Sequence, residues 1–146
     1  MPFYYLYIAR WPDLLSMQES PTGRISSYMI GKAEGSGTEW HGHISAVTVC
    51  PEYRRLGLAK TLCREVERVS DKVYRGYFVD LFVRVTNTVA IKMYQKFGYT
   101  VYRRVLKYYD SDEDAFDMRK PCSRDTTGVI KPLPAPITVK ELQPSR

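Results

Sequence analysis

The sequence predicts a single α/β domain, and three observations carry that expectation. The apolar run Ile44 to Cys50 reads as a buried strand, and an amphipathic helix follows from about Leu56 to Val73. The run Tyr77 to Val85 is nearly continuous in apolar and aromatic residues, with Asp80 and Arg84 as exceptions. That pattern suits a strand covered on both faces, paired in parallel with Ile44–Cys50 through the intervening helix. A second helix, Asn87 to Phe97, then leads into a long strand from Tyr99 to Tyr109.

The other elements follow in order. Tyr4 to Trp11 is aromatic-rich and ends at Pro12-Asp13. Leu14 to Glu19 reads as a short strand, Pro21-Thr22-Gly23 as a turn, and Ile25 to Ala33 as the next strand. Gly35-Ser36-Gly37 opens a loop, and His43, Ser45 and Val47 then alternate on one strand face. The first helix carries Leu58, Ala59, Leu62, Cys63, Val66 and Val69 inward. In the second, Asn87 is the N-cap, Val89, Ala90, Met93, Tyr94 and Phe97 form one stripe, and Gly98 ends it. An acidic run, Asp110 to Asp117, precedes a short final strand, Ala115 to Arg119. Residues 1–120 are read as the domain. Residues 121–146 are read as a proline-punctuated tail (Pro132, Pro134, Pro136, Pro144), disordered or laid along a partner.

Composition narrows the class. The chain has 146 residues, 44% hydrophobic and 26% charged, which suits one globular domain. No apolar stretch approaches the roughly eighteen residues of a membrane span. The start, Met1-Pro2-Phe3-Tyr4-Tyr5, lacks the pattern of a signal peptide, so cytoplasm is the expected location. Cys50, Cys63 and Cys122 form no CxxC pair, which argues against a zinc or disulfide framework. Residues 1–50 carry a net charge of −1 and the remainder +7, so the basic part suits an anionic ligand or partner.

Arg54-Arg55-Leu56-Gly57-Leu58-Ala59 is the strongest candidate for such a ligand. It lies between strand and helix, where the first N–H groups of the helix lack internal partners and the macrodipole is positive. A surface turn with solvated arginines has the same sequence. Asn87-x-x-Ala90-x-x-x-Tyr94-x-x-x-Gly98-Tyr99 is the second motif, and its seven-residue spacing puts Asn87 and Tyr94 on one helix face.

In this order the two motifs resemble the signatures of the GNAT acetyltransferases. Longer strings resemble one family within that group, the catalytic subunits of the NatB N-terminal acetyltransferase. They are Trp40-His41-Gly42-His43, Pro51 to Ala59, Phe78-Val79-Asp80-Leu81-Phe82-Val83-Arg84-Val85, Val101-Tyr102-Arg103, Tyr108-Tyr109 and Asp112 to Lys120. The likeness runs from about Pro2 to near Asp125. It implies a GNAT fold with a mixed central sheet and helices on both faces. Relative to that family the chain is expected to be shortened at its N-terminus, without the opening strand and helix pair. In that family the loop of the helix pair forms one wall of the peptide site and the helices help dock the auxiliary subunit, and without the strand Leu14–Glu19 is expected to be left unpaired.

The activity implied is transfer of acetyl from acetyl-CoA to the α-amine of nascent proteins beginning Met-Asp, Met-Glu, Met-Asn or Met-Gln. The partners implied are the NatB auxiliary subunit and nascent N-termini at the ribosome, with no membrane role. Arg54, Arg55, Gly57, Leu58, Ala59 and Lys60 are expected to hold the cofactor's pyrophosphate, and Val47, Val49, Asn87 and Tyr94 the rest of acetyl-CoA. Val49 is expected to stabilise the oxyanion through backbone N–H, and the Tyr94 phenol to give a proton or hydrogen bond to the leaving thiolate. Tyr94 reads equally as a core aromatic, and Asn87 as a plain cap. His43, Ser45, Tyr108 and Tyr109 are expected at the peptide site. His41 and His43 raise the question of a metal, but no third ligand is evident and none is expected. Arg103, Arg104 and Lys107 beside tyrosines resemble a nucleic-acid surface, although alternation on a half-exposed strand explains them equally well and no direct nucleic-acid function is expected. Two other functions remain open: an inactive or regulatory subunit that binds acetyl-CoA or the auxiliary protein, and an acetyltransferase of internal lysines or small amines.

Overall fold

In the computed structural model, residues 5–8, 13–19, 25–49, 57–126 and 135–142 are described. The elements are β1 (Tyr5–Ile8), β2 (Asp13–Glu19), β3 (Ile25–Glu34), β4 (His41–Val49), α1 (Leu58–Lys72), β5 (Phe78–Arg84), α2 (Thr88–Lys96), β6 (Thr100–Val105), β7 (Ala115–Pro121) and α3 (Val139–Leu142). A 3₁₀ turn, Gly37–Glu39, joins β3 to β4. Among the described residues the strands form one sheet in the order β1-β2-β3-β4-β5-β7-β6. The sheet is mixed: β4 and β5 run parallel and every other adjacent pair is antiparallel.

Two placements differ from the sequence reading, and a third, that of β7, is left open by it. The strand Asp13–Glu19 is paired, because Tyr5–Ile8 lies antiparallel to it. The last strand, β7, is interior, inserted between β5 and β6 with its hydrogen bonds made on both sides. The long strand ends at Val105, so Tyr108 and Tyr109 belong to the loop before β7. Lys107 turns that loop with φ of 51°, and Asp114 holds it by accepting from Lys107 N and Arg104 Nε, each at 2.8 Å.

The core explains why α1 and α2 form. Leu58, Leu62, Cys63, Val66 and Val69 recur at helical spacing and are all buried. Each such buried aliphatic contributes roughly 1.5–3 kcal/mol relative to exposure. They meet Met29, Ile44, Val79, Leu81, Val83, Tyr94, Tyr99 and Met118 in one cluster. Ala90, Ile91, Met93 and Phe97 of the second helical segment pack against it. Val89 does not join that stripe: it is 81% exposed, and Ile91 takes the inward place.

Both long helices therefore share the face that carries Val79, Leu81 and Val83, rather than dividing between the two faces. Two successive crossovers of one hand, moving the same way across a sheet, put their helices on one side. The opposite face carries His41, His43, Phe78, Asp80, Phe82, Asp117 and Arg119.

The proline-punctuated segment returns to the domain. Ile137 forms a parallel bridge with Val105, donating to Arg104 O at 2.9 Å and accepting from Leu106 N at 2.8 Å. It thereby covers part of the β6 edge, which would otherwise expose unpaired backbone groups. No helix among the described residues is long and apolar enough to cross a membrane.

Candidate functional site

The site begins with an irregularity in β4. Ile30 lies opposite Ala46 and Gly31 opposite Ile44, so Ser45 is an extra residue, a bulge. A bulge reverses which face later side chains meet. His43 thus lies with Asp80 on the polar face, while Val47, four residues on, packs against the helix-side core. The expected alternation of His43, Ser45 and Val47 on one face does not hold, because Ser45 interrupts the pleat and is exposed.

The same bulge opens the sheet. β4 pairs with β5 only from His41–Phe78 to Ile44–Leu81. Beyond it, β4 continues along β3 to Val49, while β5 continues along β7 to Arg84. Backbone groups of Ser45 to Val49 that would face β5 are therefore off the ladder, at a cleft between two parallel strands. Strand ends that part in a parallel sheet are a usual place for ligands.

Gly57 starts α1 beside this cleft in chain order. Its φ is 73°, a left-handed conformation that L side chains adopt at a cost, and a Cβ there would meet nothing within 4 Å. Conformation, not crowding, favours glycine. The first intrahelical bond of the turn runs from Thr61 N to Gly57 O at 3.1 Å, which leaves the N–H groups of Leu58, Ala59 and Lys60 without partners inside the helix. The Leu58 side chain is buried, so only its main chain is suited to an anion. Arg54 and Arg55 lie outside the described residues. Val49 is described in its strand pairing alone, opposite Ser27.

Asn87 caps α2, its Oδ1 accepting from Ala90 N at 3.2 Å. Seven residues on, Tyr94 is 5% exposed, edge-on to Phe97 and Tyr99. Burial, with Cys63 nearby, pushes its phenol above the ordinary range, so it keeps its proton at neutral pH. Burial also pushes the Cys63 thiol up to about 12, which makes it inert.

On the opposite face the residues form one polar network. His43 Nδ1 lies 2.7 Å from Asp80 Oδ1, and His41 Nε2 lies 3.5 Å from the same oxygen and 3.2 Å from Glu34 Oε2. His41 Nδ1 is bound to the Glu39 carbonyl, and its ring stacks on Phe78 at 4.4 Å. Asp80 is 3% exposed; burial opposes its charge, yet His43 and His41 hold its carboxyl below the ordinary value. The carboxylates in turn raise both histidines against the effect of burial. Next along β7, Asp117 accepts from Arg103 Nε at 2.9 Å and from Arg119 Nη2 at 3.1 Å, and burial beside Asp80 pushes it up to about 6.

An aromatic chain connects His43 to Tyr108 and Tyr109. Ring centroids are 5.4 Å apart for His43 and Phe82, 4.7 Å for Phe82 and Tyr108, and 5.0 Å for Tyr108 and Tyr109. Arg84 lies 4.0 Å over the Tyr109 ring and reaches Ser111 Oγ and Glu113 Oε1, fixing the loop. The structure thus brings His43, Tyr108 and Tyr109 to one wall, and Asn87 and Tyr94 to the helix side.

Glu34, Asp80, Phe82 and Arg119 went unread as site residues. Asp80 had a signal, as the acid in an otherwise apolar strand: a buried carboxylate needs partners. Glu34 had none, since only the β3–β4 pairing brings it opposite His41. Glu34, His41 and His43 offer donor atoms within 4.8 Å of one another, so the third residue lacking in the sequence reading of a metal site is present. Those atoms are engaged with Asp80, the Glu39 carbonyl and each other, as an ion-pair network.

The comparisons with known proteins bear on the fold and the family. The Acetyltransferase (GNAT) family model matches residues 4–99. The N-terminal acetyltransferase B complex catalytic subunit NAA20 of Arabidopsis thaliana is 56% identical over 144 residues, covering 98% of this chain and 83% of that protein. The crystal structure of Chaetomium thermophilum Naa20 in complex with a bisubstrate analogue matches with a TM-score of 0.79 at 38% identity, over 87% of this chain and 78% of that one. The NatB acetyltransferase complex bound to CoA and MES matches with a TM-score of 0.65 at 49% identity, over 73% and 72%. Identity at this level over nearly the whole chain shows more than a shared fold. The chain belongs to the GNAT acetyltransferases and, within them, to the family of NatB catalytic subunits, which are N-terminal acetyltransferases.

Proposed function

We propose that this chain, with a NatB auxiliary subunit, acetylates the α-amine of nascent proteins beginning Met-Asp, Met-Glu, Met-Asn or Met-Gln, in the cytoplasm at the ribosome. The observation that carries the reading is the cleft between β4 and β5, with His43 and Tyr108 on one face of the sheet and Tyr94 on the other. Acetyl-CoA enters from the helix side, its pyrophosphate at the start of α1 with Arg54, Arg55, Gly57, Leu58, Ala59 and Lys60. Its pantetheine arm runs along Val47 and Val49, past Asn87. The peptide enters from the polar face, with Ser45 at the bulge, Tyr108 and Tyr109 over its N-terminus and His43 beside its second residue.

The chemistry asks little of the protein. An α-amine has a pKa of roughly 7.7–8.0, so a good fraction is neutral at cytosolic pH. Its nitrogen forms a bond to the thioester carbon, and the resulting oxyanion takes a hydrogen bond from Val49 N–H. The C–S bond then breaks, the amine's surplus proton leaves to solvent, and the thiolate receives a proton from Tyr94, which water restores. The aromatic wall keeps water from the thioester.

Acetyl transfer to a Met-Asp peptide, with and without the auxiliary subunit, tests the reading against Met-Lys and against an N-terminally blocked peptide with an internal lysine. Turnover of Met-Asp alone supports it. Acetyl-CoA binding without turnover points to a regulatory subunit, and acetylation of the blocked peptide points to a lysine acetyltransferase.

A further inference from the structure

We propose that Asp80 is a positioning residue of the peptide site, which holds the ring of His43 with Nδ1–H turned to the sheet and Nε2 left for the substrate's second side chain. The inference rests on the function proposed above and deepens it. His43 and Asp80 are register partners on the parallel strands β4 and β5, just before those strands part. Their contact of 2.7 Å is a hydrogen bond between the side chains of two buried residues. A carboxylate only accepts, so the proton of that bond sits on His43 Nδ1.

The neighbours leave Asp80 to this task. Arg119 is its partner across β7, but Arg119 directs its hydrogen bonds to Asp117, 3.1 Å away, and stacks over Tyr102 at 3.7 Å and Phe78 at 4.2 Å. Lys32, the register partner of His43 on β3, pairs with Glu34 at 3.2 Å. His41 is tied to the Glu39 carbonyl through Nδ1 and faces Asp80 from 3.5 Å. The row Lys32–His43–Asp80–Arg119 therefore crosses four strands, and within it the hydrogen bond that Asp80 makes goes to His43.

This arrangement accounts for a preference that treats acids and amides alike. With Nδ1–H committed to Asp80, a protonated ring presents Nε2–H, which donates to the carboxylate of Asp or Glu or to the amide oxygen of Asn or Gln. A neutral ring presents an Nε2 lone pair, which accepts only from an amide N–H. A lysine side chain meets a cation or a crowded aromatic wall. Asp80 supports the protonated form, so its removal acts more strongly on acidic than on amide substrates.

The test uses the chain copurified with its auxiliary subunit and the peptides Met-Asp, Met-Asn and Met-Lys. In Asp80→Asn, we expect KM for Met-Asp to rise about tenfold, with a smaller rise for Met-Asn and with kcat and the KM for acetyl-CoA little changed. In a His43→Gln background, Asp80→Asn has no further effect on the Met-Asp to Met-Asn ratio. An equal fall in kcat for every peptide, or an additive effect in that background, overturns the proposal. Should Asp80→Asn not fold, ¹⁵N-histidine NMR of the wild-type complex decides, since the chain has two histidines and His43→Gln assigns them. Neutral His43 protonated at Nδ1 supports the proposal, and protonation at Nε2 overturns it. A wild-type complex that does not favour Met-Asp over Met-Lys removes the substrate reading instead, and the NMR result then judges Asp80 alone.

Discussion

Gly42 of β4 and Ser70 of α1 set how closely the first long helix approaches the sheet. A Cβ on Gly42 would lie 2.0 Å from Ser70 Oγ and 2.8 Å from Ser70 Cβ. Ser70 is fully buried, and its hydroxyl has no hydrogen-bond partner among the described residues. The contact fixes α1 over the strand that carries His41 and His43.

Gly42→Ala should therefore destabilise the fold by overpacking, by roughly 1–3 kcal/mol. Thermal denaturation reads the loss, and Gly42→Ala/Ser70→Gly should regain part of it. Ser70→Ala alone should be neutral or slightly stabilising, since it deletes a buried hydroxyl that makes no bond here. A large loss from Ser70→Ala would show that the hydroxyl has a partner that matters.

Glu34 gives a pH signature. The His41 ring, 3.2 Å away, lowers its carboxyl from the ordinary 4.5 to about 2 against the effect of burial. A lowered acid contributes stability that is present above 4.5 and lost as pH falls toward 2. His41 is raised above 6.5, with Asp80 and Glu34 opposing the effect of burial, so its contribution is present below 6.5 and lost as pH rises through the folded value. The difference in Tm between wild type and Glu34→Gln should be greatest between about 4.5 and 6.5 and shrink on both sides. A difference independent of pH would contradict the ion pair.

Tyr94→Phe keeps the ring contacts with Phe97 and Tyr99 and removes only the phenolic hydroxyl. It should lower kcat by roughly a hundredfold, within the range for a general acid, while the KM values and Tm stay close to wild type. Steady-state kinetics with a Met-Asp peptide check this, and undiminished turnover would leave Tyr94 as a core aromatic.

Ile137→Pro removes the donor to Arg104 O without touching the active face. It should cost about 1 kcal/mol, the usual worth of a backbone hydrogen bond. Amide exchange at Leu106, whose N–H is held by Ile137 O, should quicken. Unchanged exchange would mean that the segment does not cover the β6 edge in solution.

What was legible in the sequence was local or carried by a signature. The inward stripe of α1 follows from residue spacing and Asn87 as a cap from its amide, whereas Gly57, read inside the helix, precedes it with φ of 73°. The polar face was largely illegible. Glu34, Asp80 and Arg119 are far apart in sequence, and strand pairing alone brings them together. The Ser45 bulge left no mark in the residues, yet it moves Val47 to the other face.

By itself, then, the amino-acid sequence carried the family through the strings that resemble it, and the order of strands and helices from β2 to β7 because periodicity and short-range hydrogen bonding act within a few residues. Only the tertiary structure decided that β7 enters between β5 and β6, that both long helices share a face, and that two histidines meet two carboxylates on the other. The reason is register: hydrogen bonds between distant strands set which side chains become neighbours, and one extra residue in a strand changes that set.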